Sequence, residues 1–258
     1  MQNNPKSNVT VQDADNLCSW IKEKLGNRNA VVGISGGIDS SVIAALCVRA
    51  VGKNRTILVS LPCGEDKDKE YTDLLLKTLN YTHFIEEENL LDTRIDIEKA
   101  CANIHYALRD ALGCSYSGRK VAYANIQARM RMIVLYAIAN TYNGIVVGTT
   151  NKSEYEIGYA TKYGDAGVDI EPIQDFYKSE VRELGTLLGL SEMLVNRTPT
   201  AGLWEGQTDE SEIGMTYDEL DSFLKGNAGS IEKAKRVREL QEMSEHKRNP
   251  IPFYRRIN

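Results

Sequence analysis

The 258-residue chain lacks the features that mark membrane and secreted proteins. No apolar run approaches the roughly 18 residues that a membrane-spanning helix needs, and the polar start, MQNNPKSNVT, lacks the basic-then-apolar order of a signal peptide. The five cysteines are far apart and include no C-x-x-C pair, which argues against a zinc site, an iron-sulfur cluster or a redox dithiol. These absences predict a cytoplasmic protein with reduced thiols and no membrane partner.

A surplus of basic residues is also missing. The chain has 31 Lys and Arg against 36 Asp and Glu, a formal net charge of -5 and a pI near 5.4. Because nucleic-acid surfaces neutralise phosphates with clustered Lys and Arg, this balance argues against a broad nucleic-acid interface. The 42% hydrophobic and 26% charged residues are typical of a globular protein, and the length favours one α/β domain over residues 1–258.

Predicted strands and helices alternate along the chain. Short apolar runs at residues 30–34, 56–61 and 145–148 predict buried strands, and a further strand is predicted near 83–87. Helices are predicted at residues 13–25, 40–51, 71–79, 94–112, 125–140, 178–188, 217–224 and 231–245. Residues 149–175 are polar and show no sustained period, which favours a binding loop or lid, with disorder as the alternative.

This alternation predicts a Rossmann-like α/β fold, with a mainly parallel sheet and helices on both faces. In such folds ligands bind beyond the carboxyl ends of the strands. Three polar clusters follow predicted strands: SGGIDS (35–40), PCGED (62–66) and TTNKSE (149–154). We expect them to meet at one edge of the sheet and to form a site there.

The first cluster has the composition of a phosphate-binding turn. Gly36 and Gly37 allow backbone N–H groups to approach a ligand, and the following helix begins with free N–H groups and the positive end of its dipole. The serines of the turn add hydroxyl donors, while Asp39 suits a Mg²⁺ ion shared with phosphate oxygens. The residues fit neither G-x-x-x-x-G-K-[ST] nor G-x-G-x-x-G. A glycine turn that only packs against the sheet remains the alternative.

SGGIDS resembles the pyrophosphate loop, S-G-G-x-D-S, of the N-type ATP pyrophosphatases, which cleave ATP between its α and β phosphates. Further segments resemble the ammonia-dependent NAD synthetases of that superfamily in order and spacing: NIQARMR (125–131), VVGTTNKSE (146–154), TKYGDAGVDIEPI (161–173), YKSEVRELG (177–185), RTPTAGLWEGQTDESEIG (197–214) and HKR (246–248). The resemblance covers nearly the whole chain. The glutamine-using form has an extra glutaminase domain, for which 258 residues leave no room.

The resemblance implies an adenine nucleotide alpha hydrolase-like fold and ATP-dependent amidation of deamido-NAD by ammonia to NAD. The reaction would pass through an acyl adenylate and release AMP and pyrophosphate. Mg²⁺ as cofactor, ATP as co-substrate and a homodimer with the deamido-NAD site at its interface are also implied. A tRNA-modifying ATP pyrophosphatase is the second interpretation, against which the acidic balance and the missing C-x-x-C pairs count. A nucleotide-binding regulator without catalysis is the third.

The resemblance further implies a set of site residues. ATP contacts are expected from Gly33, Ile34, Ser35, Gly36, Gly37, Ile38, Asp39, Ser40, Thr149, Lys178 and Thr200. Mg²⁺ ligands are expected from Asp39 and Glu154, and deamido-NAD contacts from Arg129, Lys162, Asp169, His246 and Lys247. Asp165 is expected to take a proton from ammonium, because only neutral ammonia has the lone pair that attacks. Without the resemblance, ordinary solvent-exposed positions would explain the charged residues of this set about as well as a binding role.

Two positions depart from the pattern of many relatives. Tyr123 and Ala124 replace a Lys-Gly pair before the Asn of NIQARMR, and Cys63 replaces a Tyr after Leu-Pro. A basic contact to the dinucleotide is therefore missing or supplied elsewhere. The ATP loop is unaffected by either departure.

Overall fold

The computed structural model describes residues 9–81, 84–86, 89–90, 94–113, 120–200, 208–227 and 229–256. Its elements, in chain order, are α1 (Val11–Leu25), β1 (Asn29–Ile34), α2 (Ile38–Val51), β2 (Thr56–Ser60), α3 (Lys69–Thr78), β3 (Phe84–Glu86), β4 (Asn89–Leu90), α4 (Glu98–Leu112), α5 (Lys120–Thr141), β5 (Gly144–Val146), α6 (Lys152–Ile157), α7 (Lys178–Leu187), α8 (Glu192–Val195), α9 (Asp209–Ile213), α10 (Tyr217–Leu224) and α11 (Ile231–Arg248).

The central sheet is parallel and has the order β2-β1-β5. Single-residue parallel bridges, Ser60 with Arg94 and Val147 with Ile170, widen it on both sides. Because the strands run in the same direction, the segments that follow β1, β2 and β5 begin at one edge. This edge is where the three polar clusters of the sequence start.

The middle strand is buried on both faces. Ala30 and Val32 lie in one core, whereas Val31 lies in a second core with Ile57 and Val59 of β2. Successive side chains of a strand point to opposite faces, so a strand covered on both sides needs a continuous apolar run. The sequence VVGI after Ala30 meets this requirement.

Helices cover both faces of the sheet, as the sequence predicted. Buried apolar side chains of α1, α2 and α7 build the first core, and those of α4 and α5 build the second. A third cluster joins α6, α9, α10 and α11 around Ile157, Tyr217 and Val237. Among the helices that the structure describes, none is long and apolar enough to cross a bilayer.

The strand predicted near 83–87 is confirmed at residues 84–86, which pair antiparallel with β4 in a separate two-stranded sheet; His83 and Glu87 lie outside the described residues. The prediction of irregular structure at 149–175 is wrong at residues 152–157, which form α6, a helix of 6 residues. Asn151 and Glu154 form a capping box that begins this helix, and a helix so short gives no apolar period to detect.

Candidate active site

The turn between β1 and α2 is held in shape by its own serines. Ser40 Oγ accepts from the Ser35 N–H at 3.2 Å and donates to the Gly37 carbonyl at 3.1 Å, while Ser41 Oγ donates to the same carbonyl at 2.7 Å. Gly37 is the N-cap of α2, so the first N–H groups of the helix point toward the turn. Ser35 Oγ lies 3.1 Å from Ser40 Oγ, although Ser35 as a whole is exposed. The turn is therefore preformed by hydrogen bonds among its own residues.

Gly36 cannot be replaced without moving this turn. Its φ is +73°, and a Cβ there would lie 2.6 Å from Tyr71 Cβ and 2.7 Å from Arg197 Nη1. We expect Gly36→Ala to lower the free energy of unfolding by about 2–4 kcal/mol, from backbone strain and steric overlap, and to raise the KM for ATP. Gly52→Ala is the matched control, because Gly52 has φ +81° with no atom within 4 Å of its Cβ position. Urea unfolding and ATP-dependent kinetics of both variants measure the difference, and equal losses would refute the steric part.

Arg197 closes over the same turn, and the sequence analysis did not single it out. Its Nη1 donates to the Ser35 carbonyl at 3.1 Å, its Nη2 pairs with Asp68, and its guanidinium lies 3.9 Å from the centre of the Tyr71 ring. The segment that leads to Thr200, an exposed residue, is thereby tied to the phosphate-binding turn. Only the presence of Arg197 in the quoted RTPTAG segment pointed to it.

A buried lysine joins the two predicted metal ligands. Lys178, the first residue of α7, places Nζ 2.5 Å from Asp39 Oδ2 and 3.0 Å from Glu154 Oε1. The Lys178 side chain is 3% exposed and each carboxylate 14%. Asn151 Nδ2 donates to the other oxygen of Asp39 at 2.9 Å. The helices α2, α6 and α7 thus bring three predicted site residues together at the carboxyl edge of the sheet.

The pKa values of Lys178 and Glu154 are both raised in this centre. Burial lowers the pKa of Lys178, but the carboxylates of Asp39 and Glu154 outweigh it and raise that pKa above its usual value. Burial raises the pKa of Glu154 to about 7, against the opposing effect of the Lys178 ammonium. Two carboxylates and one ammonium leave one negative charge when all three are ionised, which favours the arrival of a further cation.

The donor set fits Mg²⁺ held together with a nucleotide. Mg²⁺ in such sites takes one or two carboxylates and completes its shell with phosphate oxygens and water. Asp39 and Glu154 supply two carboxylates beside the phosphate-binding turn. Within the described residues there is no group of three or more His, Cys, Asp or Glu side chains that would hold a metal ion without such help.

Glu171 is a partly buried carboxylate near the end of β5 that the sequence analysis missed. It accepts from the Thr150 N–H at 3.1 Å, next to Thr149, a predicted ATP contact that is partly exposed. A Cβ on Gly148 would come within 2.3 Å of its carboxyl carbon, so a larger residue there would displace the end of the Glu171 side chain. Burial raises the pKa of Glu171 to about 7. The available signal was an acidic residue flanked by isoleucine and proline in the segment IEPI, residues 170–173.

Glu171 makes the stability of the protein depend on pH. Its folded pKa lies above the unfolded value, so its contribution is fully present below about pH 4.5 and is lost as pH rises to about 7. We expect Glu171→Gln to remove this loss and to gain on the order of 2 kcal/mol relative to the parent between pH 5 and pH 8. Urea unfolding across that range measures it. A constant difference between the two proteins would contradict the assignment.

Four of the five predicted dinucleotide residues lie together. Arg129 of α5 donates through Nε and Nη2 to the Lys162 carbonyl at 3.3 and 3.2 Å. Lys162 Nζ donates to the carbonyl of His246, and Lys247 Nζ donates to the Gly158 carbonyl at 2.7 Å. Cationic groups from α5, the loop after α6 and the end of α11 thereby form one patch.

Asp169 has a different position. One oxygen of its carboxylate accepts from the Val146 N–H at 2.7 Å and the other from Tyr136 Oη at 3.1 Å. Its own N–H donates to the Val146 carbonyl at 2.9 Å. Asp169 therefore extends the hydrogen bonding of β5, although it remains exposed.

Asp165 lies in an open part of the site beside the cationic patch. It accepts from the Thr161 N–H at 2.9 Å, and the residue is exposed. Surrounding protein atoms raise the pKa of its carboxyl, opposed by the hydrogen bonds from Thr161 and by the charge of Lys247. A raised pKa makes this carboxylate a stronger base than that of an ordinary aspartate.

The structure combines a parallel α/β sheet with a serine-glycine turn, a lysine-carboxylate centre and a cationic patch at one edge. These features are those of a nucleotide-binding protein of the Rossmann-like class. The chain belongs to the NAD synthase family, whose model matches residues 13–251. The NH(3)-dependent NAD(+) synthetase of Thermoplasma acidophilum is 40% identical over 252 residues, covering 94% of this chain and 97% of that protein. The protein of the same name from Archaeoglobus fulgidus is 38% identical, covering 93% and 95%.

Solved structures agree with this assignment. The NMN synthetase of Francisella tularensis superposes with a TM-score of 0.84 at 35% identity, covering 95% of this chain and 98% of that one. The NAD+ synthetase of Burkholderia pseudomallei superposes with a TM-score of 0.73 at 31% identity, covering 92% and 89%. These relatives do not favour the tRNA-modifying interpretation.

Proposed function

We propose that the chain is a ligase that amidates the nicotinate carboxylate of deamido-NAD with ammonia, at the expense of ATP, to give NAD, AMP and pyrophosphate. The observation that carries the proposal is the family match over residues 13–251. The relatives in which 38–40% of residues are identical bear the name NH(3)-dependent NAD(+) synthetase. The geometry at the carboxyl edge of the sheet supplies groups for each part of that reaction.

A carboxylate resists attack by ammonia, because oxide is a poor leaving group. The nicotinate carboxylate oxygen attacks the α-phosphorus of ATP, the bond to the bridging oxygen breaks, and pyrophosphate leaves. Ammonia then attacks the acyl carbon and AMP leaves with the bonding electrons. One proton from the nitrogen must be taken up by a base. NAD, AMP and pyrophosphate therefore form in equal amounts.

The turn of residues 33–40 holds the ATP phosphates in this proposal. Its N–H groups and the start of α2 would face the pyrophosphate, and positive charge comes from the Lys178 ammonium beside Asp39 and from the Arg197 guanidinium beside Ser35. Asp39 and Glu154 would hold Mg²⁺, which neutralises charge on the departing pyrophosphate. Thr149 lies two residues before Asn151, which bonds to Asp39, and Thr200 lies three residues after Arg197, which bonds to Ser35.

The cationic patch would receive deamido-NAD. Arg129, Lys162, His246 and Lys247 carry the groups suited to its phosphates, and Asp169 borders the same loop. Asp165, beside Lys247, would take the proton from ammonium. Its raised pKa places it closer to neutral pH than an ordinary aspartate.

A homodimer and a cytoplasmic location complete the proposal, together with a single NAD synthetase domain over residues 1–258. Apolar side chains exposed on α4 and α5 support an interface there: Ile104, Tyr106, Leu112, Val121 and Ile133. Large exposed apolar groups gathered on neighbouring helices are typical of protein contacts. Light scattering should give a mass about twice 28.8 kDa, and a mass of one chain would contradict the dimer.

A second substrate is favoured by one observation. The Francisella tularensis relative with a TM-score of 0.84 is an NMN synthetase. Its name raises nicotinate mononucleotide as the amidated substrate. A basic contact to the dinucleotide that is missing at Tyr123 and Ala124 is consistent with such a change.

The test is amidation with two substrates in parallel. Purified protein receives ATP, Mg²⁺ and ammonium with either deamido-NAD or nicotinate mononucleotide, and AMP, pyrophosphate and the amide product are measured. We expect equal amounts of the three products and a higher kcat/KM with deamido-NAD. A higher value with the mononucleotide would establish the second substrate. AMP formation that ignores both carboxylates would refute the ligase activity.

A further inference from the structure

Helix α10 places two buried polar side chains against the lysine-carboxylate centre. Tyr217 is 0% exposed and Asp221 is 3% exposed, and residues four apart lie on one face of a helix. That face contacts α6 and α7, the two helices that carry Glu154 and Lys178.

Tyr217 fixes Glu154 and Lys178 directly. Its hydroxyl lies 3.2 Å from Glu154 Oε1, the oxygen that also accepts from Lys178 Nζ, and 3.2 Å from Asp209 Oδ2. Lys178 Nζ lies 4.7 Å from the centre of the Tyr217 ring, within the distance of a cation-π contact. One tyrosine therefore defines where the carboxylate and the ammonium stand relative to each other.

Asp221 joins the starts of α6 and α7. It accepts from the Ser179 N–H at 2.9 Å and from Ser179 Oγ at 2.7 Å. It also accepts from Ser153 Oγ, which in turn accepts from the Lys178 N–H at 3.0 Å. A carboxylate at a helix N-terminus is stabilised by the free N–H groups, and here it sets the spacing between Lys178 and the helix of Glu154.

Apolar packing alone does not explain these two residues. Tyr217 belongs to a buried cluster with Ile213, Leu220 and Val237, where a phenylalanine would fill the same volume. The hydroxyl is the part that reaches Glu154. Likewise, a buried carboxylate is costly unless it is paired or fully hydrogen-bonded, and the partners of Asp221 are the termini of the two site helices.

We propose that Tyr217 and Asp221 are positioning residues for the Asp39-Lys178-Glu154 centre. They hold Glu154 and Lys178 in the arrangement that receives a divalent cation with the nucleotide. The inference rests on the proposed function for the identity of that cation and of the nucleotide. Neither residue touches substrate in this scheme; both act through Glu154, Lys178 and Ser153.

The test measures Mn²⁺ binding in the presence of α,β-methylene-ATP. The readout is the electron paramagnetic resonance signal of free Mn²⁺. Loss of an outer partner of a metal ligand weakens metal binding by about 10- to 100-fold, and we expect Tyr217→Phe to raise the Mn²⁺ dissociation constant by that factor. Tyr81→Phe is the matched control. Tyr81 is also buried, and its hydroxyl donates to the Thr56 carbonyl at 2.6 Å far along the chain from α10.

The outcomes separate positioning from packing and from the proposed reaction. Unchanged Mn²⁺ affinity in Tyr217→Phe, or an equal loss in Tyr81→Phe, would overturn the inference. If Tyr217→Phe does not fold, Asp221→Asn is read in the same way. Amidation is assayed beside it: a parent protein that makes no amide, while Tyr217→Phe still loses Mn²⁺ affinity, would refute the reaction and support the positioning role.

Discussion

Replacing Lys178 with methionine is expected to lower the free energy of unfolding by about 3–5 kcal/mol, because removal of one partner leaves buried charge uncompensated. Asp39 and Glu154, each 14% exposed, would face each other without the ammonium that lies 2.5 and 3.0 Å from them. Millimolar Mg²⁺ should restore part of the loss, since the vacated position lies between two carboxylates. In the parent protein Mg²⁺ alone should stabilise much less.

Urea unfolding with and without Mg²⁺ measures both effects, and Lys152→Met provides the control. Lys152 is also the first residue of its helix, but its partner Asp175 is 90% exposed. An exposed pair contributes about 0–1 kcal/mol. Equal Mg²⁺ stabilisation of the parent and the Lys178 variant would contradict the idea that the ammonium and the metal use the same carboxylates.

Asp39→Asn should reduce kcat by about a thousandfold while the protein stays folded. The expected loss corresponds to roughly 4 kcal/mol of transition-state stabilisation, the order of magnitude for a metal ion that neutralises developing charge. Lys178 keeps Glu154 as a partner at 3.0 Å, so the structural cost is limited to about 1–2 kcal/mol from one mismatched amide hydrogen bond.

Amide formation from ATP, ammonium and the carboxylate substrate measures the change, with thermal unfolding as the check on folding. Asp175→Asn is the control, because Asp175 is an exposed aspartate that pairs with a lysine outside the centre. Activity within tenfold of the parent would remove Asp39 from the metal site. A large loss of stability would show that the pairing of Asp39 with Lys178 serves mainly to stabilise the fold.

The parts of the fold that the sequence predicts are those encoded by local pattern. The apolar run before SGGIDS predicts β1, and the two glycines predict the turn, because both depend on neighbouring residues. Residues 217–224 were predicted as a helix and form α10 with the same bounds. The sequence did not predict α6, because its capping box is polar and the helix is short.

The parts that the sequence does not predict are contacts between distant segments. Arg197 pairs with Asp68 across 129 positions, and Lys178 with Asp39 across 139. Lys178 was expected to meet ATP, but nothing in its neighbours indicates that it also joins two carboxylates. In the sequence, Tyr217 is an ordinary residue of a predicted helix, and Glu171 is an ordinary acidic residue. Only the fold brings their polar atoms to the site.

The middle position of β1 also determines when the sheet is completed during synthesis. β1 pairs on one side with β2, which follows soon after it, but its other edge waits for β5; Asn29 bonds to the Tyr142 carbonyl across 113 positions. At about 5–20 residues per second the ribosome needs roughly 6–23 s for that length. For that interval the strand leading into the phosphate-binding turn presents an unpaired apolar edge, a template for aggregation that makes newly made chains more vulnerable than folded ones.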